Sequence, residues 1–177
     1  MDNLKLSFDI YYNSLILESE NTQEEEIFKK ILTMDSIEEI ERLIATNSYC
    51  SCSYAEDVLK DRFELGEPAI ATDSWYSYAY ANNVLNGRFE LGESEISKNA
   101  KHSVLYAAYV LRGRFRSAEP NIATDSQCSF EYAENVIKGR FKLGEPAIAK
   151  SRKYSKYYML VLRDYDTEIP EIFHKYL

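Results

Sequence analysis

A ten-residue segment recurs four times in this 177-residue chain, each time 26 residues after the previous copy. It occupies residues 54–63, 80–89, 106–115 and 132–141, with no insertion or deletion between copies. A fixed period of this length is typical of units that cannot bury their apolar face alone and stack on copies of themselves. The repeat therefore constrains the fold far more than it constrains the function.

Each repeat begins with a pattern that predicts a long helix. Asp73 and Asp125 are candidate N-caps, because a short carboxylate accepts hydrogen bonds from the free amides of a first turn. The stretch 75–86 that follows Asp73 contains no Gly or Pro, and its apolar residues recur at helical spacing. We expect a helix of about 13 residues, roughly 20 Å long, in every repeat.

The end of that helix and the start of a shorter one are also predicted. Segment 66–70 reads Gly-Glu-Pro-Ala-Ile, and proline is tolerated in the first turn of a helix. A tight turn should separate the two helices. Glycines follow the last turn of the long helix, where a left-handed residue commonly ends it, at Gly87, Gly113 and Gly139.

Two aromatic positions recur in every regular repeat and predict the core. We expect one buried row at Phe63, Phe89, Phe115 and Phe141. A buried tyrosine needs a partner for its hydroxyl, so the hydroxyls of a second row should reach a polar edge or neighbouring backbone. That row comprises Tyr54, Tyr80, Tyr106, Tyr132 and Tyr158.

These features predict an all-α fold, a right-handed α-solenoid of about four regular 26-residue helix–turn–helix repeats with degenerate capping repeats at both ends. Residues 1–44 would form an N-terminal segment and an acidic capping repeat, residues 45–148 the four α-helical repeats, and residues 149–177 the C-terminal cap. Residues 1–18 lie outside the repeat. Their alternating apolar residues give a weak strand signal, and a short helix is the alternative.

The charge is unevenly distributed and argues against direct nucleic-acid binding. The net charge is −8, and residues 1–44 hold 11 acidic and 4 basic residues. Such a chain repels phosphate backbones. The exception is a basic segment near the C-terminus, with Lys150, Arg152, Lys153 and Lys156.

The three cysteines and the apolar runs suggest a compartment. Cys50, Cys52 and Cys128 are odd in number, which favours a reducing interior, and we expect a cytoplasmic protein. The most economical interpretation of these thiols is that they fill space in the core. No apolar stretch is long enough to span a membrane, so no membrane association is expected.

Two charged ladders recur with the repeat. We favour the interpretation that each arginine pairs with a glutamate five residues later, tying turn to helix through a bidentate bond. The alternative is that the arginines bind successive phosphates of a nucleic acid. The ladders are Arg62, Arg88, Arg114 and Arg140, and Glu67, Glu93, Glu119 and Glu145.

The sequence offers no catalytic constellation. His102 and His174 are far apart, and the glycines occur singly rather than in a phosphate-binding loop. We therefore expect no enzyme, no metal and no cofactor. Recognition is instead expected where repeats differ, in the first turn of each long helix, because aromatic side chains there can anchor an interface. The candidate partner-binding residues are Tyr49, Trp75, Tyr76, Lys101, His102, Gln127, Lys153 and Tyr154.

The repeat motif reads Ala-Thr-Asp-Ser, then Tyr-Ala-x-x-Val-Leu-x-Gly-Arg-Phe-x-x-Gly-Glu-Pro-x-Ile. It resembles short tandem two-helix repeats of the HEAT and leucine-rich-variant type in proteins of tailed bacteriophages and large DNA viruses. The resemblance covers roughly residues 45–150. It implies a phage-encoded, non-enzymatic binding protein in the cytoplasm of an infected bacterium. The implied partner is a host or defence protein that is inhibited or sequestered, and no catalytic residue carries over.

Three alternatives remain open from the sequence. An acidic DNA mimic could block a nucleic-acid-binding enzyme, a possibility that the glutamates in residues 24–41 favour. A small molecule or nucleotide could bind in a concave face. Two copies could also form a homo-dimer through an exposed apolar end of the solenoid, with Ile169, Ile172, Phe173 and Leu177 as candidate contacts.

Overall fold

The computed structural model describes residues 22–31, 33–34 and 36–176, which form helices joined by short turns, with no β-strand among them. The prediction of an all-α fold is confirmed for these residues. The weak strand signal of residues 1–18 lies outside them. The chain divides into two compact units, a first unit that ends at Gly92 and a second unit that begins at Glu93.

In the first unit, short and long helices alternate after two acidic helices. The acidic helices are α1 (Thr22–Ile31) and α2 (Ile37–Ile44). The long helices are α3 (Ser48–Ser53) and α5 (Ser74–Ala79), continued by π-helical residues Tyr54–Leu59 and Tyr80–Val84 respectively. Between them lie a 3₁₀ turn (Glu64–Gly66) and the short helix α4 (Glu67–Ile70). Helix α6 (Glu90–Ile96) begins in this unit.

The second unit repeats the same alternation. Its long helices are α7 (Ala100–Leu105), α9 (Ser126–Tyr132) and α11 (Arg152–Asp164). The first two continue as π-helical residues Tyr106–Leu111 and Ala133–Ile137. Its short elements are α8 (Glu119–Ile122), a 3₁₀ turn (Lys142–Gly144), α10 (Glu145–Ile148) and a terminal 3₁₀ helix (Glu171–Tyr176).

The long helices begin where the sequence predicts. The Asp73 carboxylate accepts from the amides of Trp75 and Tyr76, and Asp125 accepts from the amide of Cys128 at 2.8 Å. The other long helices are capped in the same way by Asn47, Asn99 and Ser151. Each cap satisfies amides that have no partner within the helix.

The long helices end differently from the prediction. The left-handed residue is the one before each glycine, such as Asn86 (φ 48°) and Arg112 (φ 49°). The expected left-handed conformation at Gly87 and Gly113 is therefore wrong. In α3, α5, α7 and α9 a wide π-helical turn precedes the end, and after α7 the Gly113 amide closes it by donating to the Ala107 carbonyl at 3.1 Å. This closure leaves the left-handed position one residue earlier.

The predicted aromatic core is confirmed. All four phenylalanines of the repeat and all five tyrosines of the second row are buried. Within each repeat a tyrosine packs on the phenylalanine nine residues later, as in the ring centroid distance of 5.1 Å between Tyr132 and Phe141. Offset and edge-on packing of this kind stabilises aromatic pairs beyond the area they bury.

Close backbone approach explains a different set of glycines. A Cβ at Gly144 would lie 2.5 Å from Phe141 Cδ1 and 2.7 Å from Ser129 Cβ. The third repeat carries Ala118 at this position, fully buried. The backbone near Ala118 must therefore leave slightly more room than the backbone near Gly144.

The C-terminal segment covers the end of the second unit. Phe173 is fully buried, with its ring centroid 5.3 Å from that of Tyr158. The Tyr176 hydroxyl donates to the Ala149 carbonyl at 3.0 Å. Phe173 is therefore not available for the end-to-end dimer considered from the sequence. Ile172 remains exposed, and Leu177 lies outside the described residues.

Candidate docking surface

The arginine and glutamate ladders meet as bidentate pairs. In the first unit, Arg62 Nε donates to Glu67 Oε1 at 2.6 Å and Nη2 donates to Oε2 at 2.9 Å. In the second unit, Arg114 bonds Glu119 and Arg140 bonds Glu145 with the same two nitrogens. The three carboxylates are buried. Each of these ion pairs holds a turn to the short helix that follows it.

A tyrosine of the following repeat completes each pair. The Tyr132 hydroxyl donates to Glu119 Oε1 at 3.0 Å and accepts from the Phe115 amide at 2.8 Å. Tyr80 does the same for Glu67 and Phe63 in the first unit, and Tyr158 for Glu145 and Phe141 in the second. The hydroxyl thus joins consecutive repeats. Two further hydroxyls also reach glutamates, Tyr54 to Glu41 and Tyr106 to Glu93.

These contacts set the ionisation of the buried groups. The Arg114 guanidinium, through its hydrogen bonds, holds the pKa of Glu119 below its usual range despite burial. Burial raises the pKa of the Tyr132 hydroxyl, and its bond to Glu119 adds to the rise. The carboxylate is therefore ionised and the phenol neutral at physiological pH. Both groups are engaged in packing and are not displayed for a ligand.

The predicted partner-binding residues of the first unit separate by exposure. Trp75 is 46 % exposed at the start of α5, and its ring lies 5.6 Å from that of Tyr78. Tyr49 and Tyr76 are half-buried, and their ring centroids are 5.7 Å apart. These two tyrosines join α3 to α5, so Trp75 is the residue of the three best placed to contact a partner.

The predicted residues of the second unit divide in the same way. Lys101, Gln127 and Lys153 are exposed, whereas His102 and Tyr154 are half-buried. The Tyr154 hydroxyl donates to Gln127 Oε1 at 2.8 Å. Its ring stacks on Phe130 with centroids 5.7 Å apart. The structure thus brings Gln127, Lys153 and Tyr154 together between α9 and α11.

Within each unit, the exposed side of the long helices is here called the outer face of that unit. It carries side chains that differ between repeats, and the second unit shows it most clearly. Helix α7 contributes Lys101, Leu105, Ala108 and Tyr109, including residues of its π-helical continuation. Helix α9 contributes Gln127, Glu131, Glu134 and Asn135, and helix α11 contributes Lys153, Tyr157 and Leu160.

A groove opens on the outer face between α7 and α9. Its volume is about 720 Å³, and Leu105, Tyr109 and Phe130 provide apolar lining. Glu131 and Glu134 provide carboxylates, and Lys101 lies at the α7 side. Tyr109 is 61 % exposed. A large aromatic side chain in such a position can anchor a protein partner.

The three cysteines of the described residues are poorly suited to nucleophilic chemistry. Burial raises the pKa of Cys50, Cys52 and Cys128 to about 12, so these thiols are neutral and weakly nucleophilic near pH 7. His174 Nε2 lies 3.1 Å from the Ile169 carbonyl oxygen. No group of three or more potential metal ligands occurs in the described part of the chain. Within the same residues, no helix is both long and apolar enough to cross a bilayer.

The sequence reasoning missed a recurring exposed leucine. Leu65 and Leu143 are about half exposed in the 3₁₀ turns before α4 and α10, and Leu91 is about half exposed in the first turn of α6. Their spacing is a multiple of 26 residues, so the repeat itself carried the signal. The third repeat has Ser117 there, which shows that the fold does not require leucine. These leucines are further candidate contact residues within their respective units.

A recurring buried serine was also missed. The Ser129 hydroxyl donates to the Ile122 carbonyl, seven residues back, at 3.0 Å. The same bond forms at Ser51, Ser77, Ser103 and Ser155, all fully buried. It satisfies a carbonyl at the end of each preceding helix. The sequence does carry a signal for this bond, because serine recurs every 26 residues at a position on the buried side of each long helix.

No protein-family model, curated protein or solved structure matches the chain.

Proposed function

We propose that this chain is a non-enzymatic binding protein whose two units dock on a protein partner through their outer faces. The observation that carries the proposal is the separation of two kinds of side chain. Core side chains that are identical between repeats, such as Tyr132 and Glu119, are buried and hydrogen-bonded to one another. On the long helices, several side chains that differ between repeats, such as Trp75 and Tyr109, are exposed. The first group is occupied in packing, and the second group is accessible for recognition.

We also propose that the repeats stack in sequence as a right-handed α-solenoid, with degenerate repeats at both ends. The support is that one hydrogen-bond arrangement recurs inside each unit. Tyr80 links two consecutive repeats in the first unit, and Tyr132 and Tyr158 do so in the second. Stability in such an array comes from contacts between neighbouring repeats.

The kind of partner is proposed from the amino-acid sequence of the repeat. Its resemblance to repeats of tailed bacteriophages makes a bacterial host or defence protein the natural candidate, bound and inhibited or sequestered in the host cytoplasm. A DNA mimic is a weaker proposal, because it needs continuous rows of displayed carboxylates. Glu67, Glu119 and Glu145 are buried in arginine pairs, which removes three carboxylates from any such row.

The test is partner capture with surface variants. The full chain is immobilised and exposed to lysate of a phage-sensitive bacterium, and retained proteins are identified by mass spectrometry. The outer-face variant carries Trp75→Ser and Tyr109→Ser. The matched control carries Leu65→Ser and Leu143→Ser, which remove comparable exposed apolar groups from the 3₁₀ turns. We expect a specific partner to be retained by the native chain and the control but lost by the outer-face variant.

Two results would contradict the proposal. Equal retention by the outer-face variant would exclude that face, and loss with the leucine variant would move the site to the turns. Salt and duplex DNA then separate docking from mimicry. A complex that resists about 0.5 M salt and ignores DNA supports docking, because attraction that imitates phosphate is screened at that ionic strength.

A further inference from the structure

Three successive long helices of the second unit present equivalent repeat positions on the outer face. The residue types at these positions are not alike. Helix α7 carries Leu105 and Ala108, where α9 carries Glu131 and Glu134. At the same positions α11 carries Tyr157 and Leu160. The face is therefore apolar on α7, acidic on α9, and apolar on α11.

The groove between α7 and α9 consequently has two unlike walls. The α7 wall is apolar along Leu105, Ala108 and the exposed ring of Tyr109, with Lys101 at the start of the helix. The α9 wall carries Glu131 and Glu134. A segment that fits this groove must have an apolar side flanked by positive charge. An amphipathic basic helix has that pattern.

Helix α11 of the same chain has this pattern. Lys153, Lys156, Tyr157 and Leu160 fall at i, i+3, i+4 and i+7, and all four are exposed. Tyr157 is 46 % and Leu160 53 % exposed. Within the described residues, Arg152, Lys153 and Lys156 form no ion pair.

The charge of α11 is not explained by the folding of that helix. Arg152 and Lys153 occupy its first turn, where the helix dipole disfavours positive charge. The first turns of α3, α5 and α9 contain no basic residue, and that of α7 carries the single lysine Lys101. A local feature that opposes stability is expected where a surface serves recognition.

We propose that a second copy of this chain is the occupant of the groove, with α11 of one copy lying between α7 and α9 of the other. The charges of Lys153 and Lys156 then face Glu131 and Glu134, while Tyr157 and Leu160 cover the apolar wall. Groove and helix occupy equivalent repeat positions on one side of a single unit. A two-fold axis near α9 therefore forms both contacts at once, as isologous dimers require.

This inference goes beyond the proposed function, and it places the dimer contact on the outer face rather than at an end of the array. A heterologous partner that docks there would compete with the second copy. The dimer is thus expected to dissociate when such a partner binds. A foreign cationic peptide is the competing occupant, and the experiment below separates the two.

The test is the mass of the full chain by light scattering and sedimentation, from about 1 µM to about 1 mM, the range in which modest interfaces associate. The groove variant carries Glu131→Lys and Glu134→Lys. The helix variant carries Lys153→Glu and Lys156→Glu. We expect the native chain to dimerise reversibly, and each variant to dimerise at least about tenfold more weakly, because like charges then meet.

Mixing the two variants gives the decisive result. In one contact of the heterodimer, the introduced lysines of the groove variant face the introduced glutamates of the helix variant. In the other contact, the native groove faces a native helix α11. A heterodimer should therefore form, although each variant alone dimerises weakly. A control with Glu38→Lys and Glu39→Lys makes the same change in net charge as the groove variant, at exposed residues of the first unit. It should dimerise like the native chain.

Any of three results overturns the proposal. The native chain remains monomeric throughout, the variants dimerise as the native chain does, or the mixture stays monomeric. A cationic amphipathic peptide that binds a monomeric native chain would assign the groove to a foreign segment. Circular dichroism of each variant checks that these exposed substitutions leave the fold intact.

Discussion

Tyr132 shows how one side chain links two repeats. Its hydroxyl donates a hydrogen bond to the buried Glu119 carboxylate and accepts one from the Phe115 amide. Both of these groups therefore have a hydrogen-bond partner in an apolar setting. Burying either group without a hydrogen bond would be costly. The same arrangement at Tyr80 and Tyr158 explains why tyrosine rather than phenylalanine recurs at this position.

Removing that hydroxyl should therefore destabilise the protein more than loss of an exposed one. We expect Tyr132→Phe to lower the free energy of unfolding by about 1–3 kcal/mol, because the buried Phe115 amide loses its acceptor. The control is Tyr165→Phe, at an exposed tyrosine, with an expected change near zero. Urea denaturation of both variants measures the difference. Equal stability of the two would show that the bridge contributes nothing.

Glu119 should make stability depend on pH in a predictable direction. Arg114 and Tyr132 hold its pKa below the usual range, so its contribution is present above the unfolded-state pKa of about 4.3. That contribution is lost as the pH falls through the lower folded-state pKa. We expect the native chain to exceed Glu119→Gln in stability at pH 7, and the difference to shrink below about pH 4.

Denaturation of both proteins across that pH range measures the difference. Glu26→Gln is the control, since Glu26 is exposed on α1 and its replacement should leave the profile unchanged. A gap between the native chain and Glu119→Gln that stays constant into acid would mean that the carboxylate charge is not what stabilises the turn.

The sequence predicted these partners to different extents. The five-residue offset between arginine and glutamate favoured their pairing, and the geometry of Arg114 with Glu119 has the bidentate form that was expected. The tyrosine hydroxyl was expected to reach an edge or neighbouring backbone, and it reaches the Phe115 amide together with a buried carboxylate. That it bridges to the carboxylate of the preceding repeat, 13 residues back, could not be derived from spacing within one helix, because it depends on how two repeats pack.

The long helices illustrate the same limit at the scale of an element. Their N-caps follow from Asp73 and Asp125, since capping is a local interaction. Their C-termini do not follow from the glycines, because the final turns widen to a π-helix. The left-handed residue then becomes Arg112 rather than Gly113. Helix-terminus rules assume an α-helical last turn, and this sequence departs from that assumption.

Two glycine substitutions should separate these roles. At Gly144 a Cβ would meet Ser129 Cβ at 2.7 Å, and we expect Gly144→Ala to lower the free energy of unfolding by about 1–3 kcal/mol through overpacking. At Gly113 a Cβ would meet only the Leu111 carbonyl oxygen, at 3.7 Å. We expect Gly113→Ala to be neutral or stabilising by up to about 1 kcal/mol, because it restricts the unfolded chain.

Thermal and urea unfolding of the two variants measure the contrast. Ala118 indicates that one repeat already accommodates a methyl group, so Gly144→Ala should still fold. If Gly113→Ala proved the more damaging change, the glycine after the left-handed residue would have a conformational role that its surroundings do not indicate.

For the whole molecule, the 26-residue period predicted an all-α chain with a repeated core, because burial of equivalent residues is dictated by the pattern itself. The outer face was only partly predictable. Differences between repeats pointed to the first turn of each long helix, yet four of the eight predicted residues are only half exposed, as Tyr154 is against Phe130. Exposure depends on the neighbouring repeat, and a single repeat sequence does not contain that information.

If contacts between neighbouring repeats stabilise the fold, deletion of one complete repeat should leave a chain that still folds. Deleting residues 126–151 joins Asp125 to Arg152 and removes 26 residues, so Tyr158 takes the repeat position of Tyr132 and can reach Glu119 and the Phe115 amide. We expect this chain to keep its helicity per residue and to unfold cooperatively at a lower temperature, because a stacked array loses one interface with each repeat. Deleting only residues 126–138 halves the repeat and places Gly139 where a helix should begin, so that chain should be largely unfolded. Far-UV circular dichroism and thermal melts compare the two. If the 26-residue deletion unfolds the chain as thoroughly as the 13-residue one, the repeats do not stack as interchangeable neighbours, and the solenoid proposal fails.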